Sequence, residues 1–374
     1  MLNDHKFIVF ALEHYNPLGV IRSLGCMGIR PIYISVRRRY EIAIKSKYIS
    51  TLHKVDSIQE GYALLMREYG NEKIKPFLLF SDDKSEGFFD LRYNEWKDKF
   101  IGYNAGEQGR INRFIDKIEI QLCAKRNGFD VLDSFVVRKD TPLPKELWYP
   151  VITKDISPNV GNWKADVFIC QTEEELLGAM ERIASNEIMV QHFVDKDHER
   201  ALQGYSINHG DEIHICADMI TQYQIEGYYS PNHYVRNFED DEMLAKLKSL
   251  FKELKYEGLF EVEFLVDKDG TSYFLEVNLR ASCFAYAATA AGMPMPYLWA
   301  KGMISKTIDA ADRKVFEPFY SMSEAIDYGK RVEGGLISFA EWLKEFKEAK
   351  CTYLYNVDDP EPFRELYTNF DKFK

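Results

Sequence analysis

The sequence predicts a protein of mixed class, with an α/β unit built on a parallel sheet and then an α+β part built on antiparallel hairpins. Two observations support this prediction. Strand-like and helix-like segments alternate over about the first hundred residues, which favours parallel strands joined by crossover helices. Beyond about residue 149, runs of alternating apolar and polar residues are separated by turn residues, a pattern typical of antiparallel hairpins.

Composition limits the classes of function. At roughly 100–200 residues per domain, 374 residues provide for two or three domains. The net charge of −11 argues against a general nucleic-acid binder. No apolar run approaches the roughly 18 residues of a membrane span, and the six cysteines form no CxxC pair or cluster. We therefore expect a cytoplasmic protein with no nucleic-acid partner and no membrane partner.

The N-terminal part contains apolar runs and amphipathic segments in alternation. No GxGxxG motif follows the first apolar run, which argues against a dinucleotide site there. A turn or helix cap is expected at residues 81–83. The expected strands cover residues 6–12, 30–36 and 76–80, and the expected helices cover residues 19–28 and 57–69.

The second part begins with a helix over residues 114–127, for which Gly128 is a good terminator. Two hairpins follow, one around the turn at residues 208–211 and one around the turn at residues 267–270. The remaining elements are an apolar strand over residues 189–194 and helices over residues 172–184, 241–254 and 338–347.

Acidic side chains gather on one face of the second hairpin. Side chains alternate between the two faces of a strand, so Glu261 and Glu263 share the face opposite to the apolar one. On the return strand, the same alternation places Glu276, Asn278 and Arg280 on that polar face. Three carboxylates, an amide and a guanidinium are therefore expected on one patch of sheet.

A two-residue turn at residues 268–269 predicts the register of this hairpin. It sets Glu261 opposite Glu276, with Glu263 diagonal to the pair and Phe274 on the same polar face. Like charges in opposition destabilise a sheet, and a magnesium ion relieves the repulsion because it prefers oxygen ligands. A guanidinium one step further along suits a phosphoryl group. The residues alone leave open a simpler interpretation, which is the solvated face of a two-sided sheet.

Three lysines are candidates for phosphate contacts. Lys117 opens a helix, and helix N-termini attract anions. Lys154 lies on a short strand, and Lys164 follows residues 156–162, a run that is able to fold over phosphates although it contains one glycine. Each of the three has the alternative interpretation of a solvated surface lysine.

The strand over residues 189–194 is a candidate adenine-binding segment, in which backbone groups near His192 and Val194 contact the edge of the ring. Its alternative interpretation is a core strand followed by a charged turn. No histidine pair has helical metal-ligand spacing, and no GxSxG or Cys–His arrangement identifies a nucleophile.

In the order of these motifs, the sequence resembles the ATP-grasp superfamily of ligases over most of the chain. The most specific segments are residues 258–266 and 273–280, although Leu279 stands where many members have proline. The resemblance implies an ATP-grasp fold with an N-terminal Rossmann-like pre-grasp domain. The implied boundaries are 1–112 for the pre-grasp domain, 113–190 and 191–305 for the two grasp subdomains, and 306–374 for a C-terminal segment that packs on them.

The same resemblance implies site residues. Glu263, Glu276 and Asn278 would be ligands of two Mg²⁺ ions, with Mn²⁺ as an alternative, and Arg280 would be the catalytic residue that stabilises the transferred phosphoryl group. Glu261 matches no ligand of the superfamily. The implied ATP-binding residues are Lys117, Lys154, Lys164, Gln191, His192, Val194 and Glu199.

The activity implied by the resemblance is that of an ATP-dependent carboxylate–amine ligase, which forms an amide through an acyl phosphate. Residues 278–280 and 358–363 resemble the branch that contains D-aspartate ligases and related carboxylate–amine ligases. The implied partners are a small-molecule carboxylate and a small-molecule amine, with a homodimer as one assembly. The alternatives are an ATP-grasp kinase or carboxylase, and a regulatory nucleotide-binding module without turnover.

Overall fold

Strands form three sheets in the computed structural model, which describes residues 2–154, 167–225 and 231–369. The strands are β1 (Phe7–Leu12), β2 (Ile32–Val36), β3 (Thr51–Val55), β4 (Phe77–Phe80), β5 (Ile101–Gly102), β6 (Asp130–Val131), β7 (Ser134–Arg138), β8 (Val151–Lys154), β9 (Ile169–Cys170), β10 (Glu187–His192), β11 (Lys196–Ile207), β12 (Glu212–Thr221), β13 (Asn232–Arg236), β14 (Gly258–Asp267), β15 (Ser272–Asn278), β16 (Phe319–Met322) and β17 (Ala349–Thr352).

Helices lie between these strands, and many begin at a side chain that accepts a hydrogen bond from the first turn, as N-caps do. Such caps are Ser57, Asp82, Asp116, Thr172, Asp240 and Ser338. Within the described ranges, no helix has the length and apolar character needed to span a membrane. The helices are α1 (Asn16–Cys26), α2 (Ile58–Tyr69), α3 (Asp83–Asp90), α4 (Tyr93–Trp96), α5 (Arg110–Ile115), α6 (Lys117–Arg126), α7 (Glu173–Arg182), α8 (Asp241–Leu254), α9 (Tyr286–Ala290), α10 (Met295–Ser305), α11 (Glu324–Asp327), α12 (Phe339–Glu348) and α13 (Glu361–Thr368).

The N-terminal sheet is parallel throughout and has the order β3-β2-β1-β4-β5, which is the order of the first five strands of a doubly wound sheet. Strands β1, β2 and β4 are buried along nearly their whole length, as their apolar sequences predict. Strand β3 was not predicted, because its residues are mostly exposed and polar at the edge of the sheet. The predicted α/β class of this part is confirmed.

Two further sheets form the second part. One has the order β7-β10-β8-β9, and the other has the order β17-β16-β13-β12-β11-β14-β15-β6. Most of their pairings are antiparallel, including the hairpins β11–β12 and β14–β15, so both predicted hairpins are confirmed. The predicted boundaries at residues 112, 190 and 305 stay a prediction, and the eight-stranded sheet extends across the last of them because β16 and β17 belong to it.

The hydrophobic cores follow the sheets. One continuous core joins the N-terminal sheet to the eight-stranded sheet. The four-stranded sheet and α7 enclose a smaller core of their own, which includes Val151, Leu176 and Val190. The unit that carries Lys154 and Gln191 is therefore packed separately from the unit that carries the carboxylates.

One predicted helix is in fact two. Helices α5 and α6 are separated at Asp116, whose backbone is extended. The Asp116 carboxylate accepts hydrogen bonds from the N–H groups of Ile118 and Glu119, at 2.9 and 3.1 Å, and this capping ends one helix and starts the next. Lys117 consequently opens α6, and Gly128 follows its end with a φ of 81°, as predicted.

Candidate active site

A cleft of about 350 Å³ lies between the eight-stranded sheet, α6 and the carboxyl edge of the N-terminal sheet. This size suits a small-molecule ligand. The N-terminal sheet contributes residues that directly follow β1 and β4, among them His14, Asn16 and Asp83. Six of the predicted site residues line the cleft, namely Lys117, Glu199, Glu263, Glu276, Asn278 and Arg280.

The carboxylate face is present, but its predicted register is wrong. Glu263 lies opposite Glu276, and Glu261 lies opposite Asn278. The turn contains three residues, with Gly270 at a φ of 86°, a left-handed conformation that glycine adopts without strain. A second one-residue shift occurs between Glu263 and its neighbour. Together the two shifts displace the pairing by two residues from the predicted register. Because side chains alternate with a period of two, the carboxylates still share one face.

The second shift is a β-bulge in β15 at Leu275, and it moves Phe274 away from its predicted position. Phe274 was expected on the polar face, but it is fully buried. Its ring centroid lies 6.0 Å from that of Phe264 and 5.5 Å from that of Phe129. An extra residue in one strand reverses the alternation beyond it, so Phe274 joins the core while Glu276 remains in the cleft.

The opposed carboxylates repel one another. Burial, followed by repulsion from Glu276 and Glu261, holds the pKa of Glu263 well above its usual value. The Asn278 amide nitrogen donates to Glu263 at 2.8 Å. This concentration of negative charge fits a divalent cation, which would relieve the repulsion.

The metal-binding capacity of these side chains is limited. Within the part of the chain that the structure describes, no three Asp, Glu, His or Cys side chains form a metal-binding group. An ion held by Glu263 and Glu276 would therefore also need the Asn278 amide, phosphate oxygens or water. Mg²⁺ commonly binds in this way, through one or two carboxylates and substrate phosphates.

Glu261 has a different environment from the other two carboxylates. It is only 3% exposed. It accepts hydrogen bonds from Gln203, from the Ser282 hydroxyl at 2.7 Å and from the Asn278 amide at 3.1 Å. Its oxygens are thus engaged by protein donors, which agrees with its absence from the ligand set that the resemblance implies.

Arg280 forms a bidentate ion pair with Asp83, a residue predicted only as part of a turn or helix cap. The Arg280 Nε and Nη2 atoms donate to the two carboxylate oxygens of Asp83 at 2.9 and 3.0 Å. Asp82, by contrast, caps α3 by accepting from the N–H of Ser85 at 2.8 Å. Asp83 therefore points into the cleft, at the first residue of α3.

Lys154 and Gln191 are not among the residues that line the cleft and lie on neighbouring strands of the four-stranded sheet. Lys154 Nζ donates to Gln191 Oε1 at 2.8 Å, and Gln191 in turn donates to the Ser134 hydroxyl at 2.9 Å. Burial, followed by the positive charge of Lys117, lowers the pKa of Lys154 to about 8. The two ammonium groups are therefore close enough to repel one another, although they belong to different units.

The other predicted nucleotide residues are less clustered. His192 ends β10 and is 3% exposed, with its ring centroid 3.6 Å from that of Trp148. Val194 is half-buried between β10 and β11 and does not line the cleft. Glu199 lines the cleft and pairs with Lys196. Lys164 and residues 156–162 lie outside the described residues.

Two histidines that are not among the predicted site residues also line the cleft. Burial lowers the pKa of His14 to about 4 and that of His233 to about 3, so both are neutral near pH 7. The His233 ring lies 4.4 Å from the ring of Phe284. Neither position shows a motif in the sequence, because each follows or occupies a strand whose role in the site depends on the tertiary fold.

Solved structures of the same fold include three enzymes. The L-amino acid ligase from Bacillus licheniformis is 13% identical, with a TM-score of 0.63 over 82% of this chain and 76% of that chain. The ADP complex of N5-carboxyaminoimidazole synthetase from Staphylococcus aureus is 14% identical, with a TM-score of 0.68 over 90% and 86%. The biotin carboxylase domain of the Hydrogenobacter thermophilus 2-oxoglutarate carboxylase, in complex with MgADP, ADP and bicarbonate, is 18% identical, with a TM-score of 0.63 over 84% and 73%.

A search of the curated proteins found no match to this sequence. The family described as "Carbamoyl-phosphate synthase L chain, ATP binding domain" matches residues 116–309, just over half of the chain. The match covers α6, the four-stranded sheet and most of the eight-stranded sheet, including the carboxylate face. The chain therefore belongs to this family of ATP-grasp enzymes, whose members are ATP-dependent ligases and carboxylases.

Proposed function

We propose that this protein is an ATP-dependent carboxylate–amine ligase, which forms an amide through an acyl phosphate and releases ADP and phosphate. The observation that carries the proposal is the opposition of Glu263 and Glu276 in a cleft that also contains Asn278, Arg280 and Lys117. Such a site combines oxygen ligands for a cation with positive groups for phosphate, which are the requirements of phosphoryl transfer.

The proposed reaction has two steps. A substrate carboxylate oxygen attacks the γ-phosphorus of ATP, and the bond from that phosphorus to the β–γ bridging oxygen breaks. ADP is the leaving group, and the acyl phosphate stays in the cleft. The amine nitrogen then attacks the acyl carbon, the bond from carbon to the phosphate oxygen breaks, and the nitrogen loses a proton to the departing phosphate. Arg280 would stabilise the charge on the transferred phosphoryl oxygens. Neither step needs a nucleophilic side chain.

ATP would bind along the junction between the two sheets of the second part. Lys117 and Lys154 repel one another, and a polyphosphate between them would convert that repulsion into attraction. Glu263, Glu276 and Asn278 would hold two Mg²⁺ ions, with Mn²⁺ as an alternative. Bound there, the metal would neutralise charge on the phosphate oxygens. The remaining proposed nucleotide contacts are Lys164, Gln191, His192, Val194 and Glu199.

The Asp83–Arg280 pair supports an amino acid as one substrate. A carboxylate that pairs with Arg280 displaces Asp83, and the freed Asp83 carboxylate then suits an ammonium group on the same molecule. An α-amino acid carries both groups on the same carbon atom. The B. licheniformis neighbour is an L-amino acid ligase, in agreement with this choice of substrate.

A carboxylase is the second candidate, because the H. thermophilus neighbour is a carboxylase domain whose structure contains bicarbonate. On this alternative, bicarbonate takes the place of the organic carboxylate. That neighbour is also described as a domain dimer. We extend the proposal of a homodimer to this chain, and light scattering on the purified protein would measure its mass in solution.

The test measures Mg²⁺-dependent ADP release with amino acids, other carboxylates, bicarbonate and amines, singly and in pairs. A ligase releases ADP only when an acid and an amine are both present. Release with bicarbonate and an amine would identify a carboxylase, and release with one acid or alcohol alone would identify a kinase. ATP binding without release under any pair would contradict the proposal and favour the regulatory module. Glu276→Gln should sharply reduce the release at the Mg²⁺ concentration that half-saturates the wild type, whereas Glu174→Gln, at an exposed position of α7, should leave it unchanged.

A further inference from the structure

A loop with three successive arginines lies at the same edge of the N-terminal sheet as the cleft. This arginine loop, residues 37–42, directly follows β2 and exposes Arg37, Arg38 and Arg39. In the parallel sheet, β2 is the neighbour of β1, and the residues after β1 line the cleft. Ligands of open parallel sheets bind at the carboxyl ends of the strands, so the arginine loop stands beside the entrance to the site.

The buried carboxylate of Glu13 fixes the far end of this loop. Glu13 is 2% exposed, and its Oε1 accepts from the N–H groups of Ile42 and Ala43, both at 2.7 Å. Its Oε2 accepts from the hydroxyls of Tyr33 and Ser35, both at 2.8 Å. Glu13 directly precedes His14, which lines the cleft. These hydrogen bonds therefore place residues 42–43 beside the segment that leads into the cleft.

The near end of the loop is fixed as well, because the N–H of Arg37 donates to the carbonyl of Val55 at 2.8 Å. The arginine loop is thus attached at both ends to the strands of the N-terminal sheet. The backbone that carries the three guanidinium groups is consequently held at both ends beside the sheet.

The three guanidinium groups differ in their partners. Arg37 pairs with Asp56 at 3.2 Å, and the Arg39 guanidinium lies 5.4 Å from the ring centroid of Tyr40. For Arg38, the described part of the chain supplies neither a hydrogen bond nor an ion pair. The positive charge of Arg38 nonetheless acts on His14 in the cleft. Burial of His14 is the main cause of its lowered pKa, and the charge of Arg38 lowers that pKa further.

We propose that the amine-bearing substrate carries an anionic group, a phosphate or a carboxylate, and that Arg38 binds this group at the mouth of the cleft. The inference rests on the proposed ligase function, because it concerns the second substrate of that reaction. A guanidinium donates two parallel hydrogen bonds to the oxygens of either group. Because Arg280 and Asp83 lie deeper, at the carboxylate face, the anionic group would be remote from the bond that is formed.

The first test measures anion binding without turnover. The protein is saturated with Mg²⁺ and a non-hydrolysable ATP analogue, so that the phosphate positions of the nucleotide are filled, and it is titrated calorimetrically with inorganic phosphate or with acetate. We expect Arg38→Ala to raise the Kd of the bound anion about tenfold or more, and Arg38→Lys to recover part of the loss. Arg37→Ala is the matched control and should change the Kd by less than about twofold, since Asp56 already holds that guanidinium.

The second test compares ethanolamine, O-phosphoethanolamine and β-alanine as amines in the ADP-release assay. Wild-type protein should prefer one of the two anionic amines, and Arg38→Ala should remove that preference. The choice between O-phosphoethanolamine and β-alanine distinguishes a phosphate from a carboxylate. Equal kcat/KM for all three amines, or equal loss of anion binding in Arg37→Ala and Arg38→Ala, would overturn the inference. If anion binding depends on Arg38 but no acid–amine pair releases ADP, the anion site stands and the ligase proposal fails.

Discussion

The Arg22 guanidinium, which is fully buried in α1, pairs with the Asp359 carboxylate 337 residues later in the chain at 2.9 Å. Arg22 also donates to the carbonyls of Tyr353, Leu354 and Asp359. Asp359 in turn accepts from the Ser46 hydroxyl. This pair fastens the C-terminal segment to the N-terminal sheet, and it gives a structural role to an aspartate in the segment that resembles D-aspartate ligases.

Loss of this pair should destabilise the protein strongly. Asp359→Ala leaves the buried Arg22 charge without its carboxylate, and breaking a buried ion pair in this way costs about 3–5 kcal/mol. Urea-induced unfolding would measure the change in the free energy of unfolding. Asp358→Ala is the matched control, because Asp358 is exposed and its loss should cost less than about 0.5 kcal/mol. Similar costs for both variants would show that the pair contributes little.

Replacement of Glu276 should affect stability and metal response in opposite directions. Glu276→Gln removes a like charge directly opposite Glu263, so the free energy of unfolding without Mg²⁺ should rise by about 0.2–1 kcal/mol. The same change removes a proposed Mg²⁺ ligand, and the Mg²⁺ concentration for half-maximal ADP release should rise about tenfold or more. Thermal unfolding with and without Mg²⁺ would measure the first effect, and the ADP-release assay the second.

Glu261→Gln is the contrasting variant on the same face. Glu261 is buried and hydrogen-bonded by Gln203 and Ser282, so an amide there leaves donors facing one another, and stability should fall by about 1–3 kcal/mol. If Glu276→Gln also destabilised the metal-free protein, repulsion between the opposed carboxylates would not govern the stability of this face. The proposed cation site would then lose its electrostatic basis.

Asp83→Asn should alter substrate preference. The variant weakens the ion pair to Arg280 and removes the proposed partner of the substrate ammonium group. We expect the KM of an amino acid substrate to rise about tenfold or more, as expected for one charged hydrogen bond, with little change for the same acid lacking its amine. Steady-state ADP release with the two acids would measure the ratio of kcat/KM. Equal loss for both acids would indicate that Asp83 only positions Arg280.

The local parts of this fold and its two hairpins were predictable, but the register of the second hairpin was not. Buried strands such as β1 and β4 show continuous apolar runs, whereas β3 is a polar edge strand without such a signal. The faces of β14 and β15 followed from alternation near Glu263. Their register did not, because it depends on the left-handed Gly270 and on an unpaired Leu275, neither of which alternation reveals.

The long-range contacts of the site were beyond sequence reasoning. Asp83 and Arg280 are 197 residues apart and meet only because α3 begins at the edge of the N-terminal sheet that faces β15. The resemblance supplied Arg280 but no partner for it. Tertiary packing, which no local pattern encodes, therefore determines how the N-terminal sheet completes the cleft.

ATP binding should weaken with rising pH through the titration of Lys154. Burial and Lys117 lower the pKa of Lys154 from 10.5 to about 8, so its ammonium group is present below about pH 8 and is lost as the pH rises above that value. Calorimetric titration with ATP and Mg²⁺ between about pH 7 and pH 9 should therefore show a rising Kd. Lys154→Arg, whose guanidinium stays charged, should remove this dependence. Stability gives an independent check. Between about pH 8 and 10.5, Lys154 is protonated in the unfolded chain more than in the folded chain. The contribution of Lys154 to the free energy of unfolding must therefore rise with pH across that window. A Kd that rises equally in the wild type and in Lys154→Arg would assign the dependence to another group.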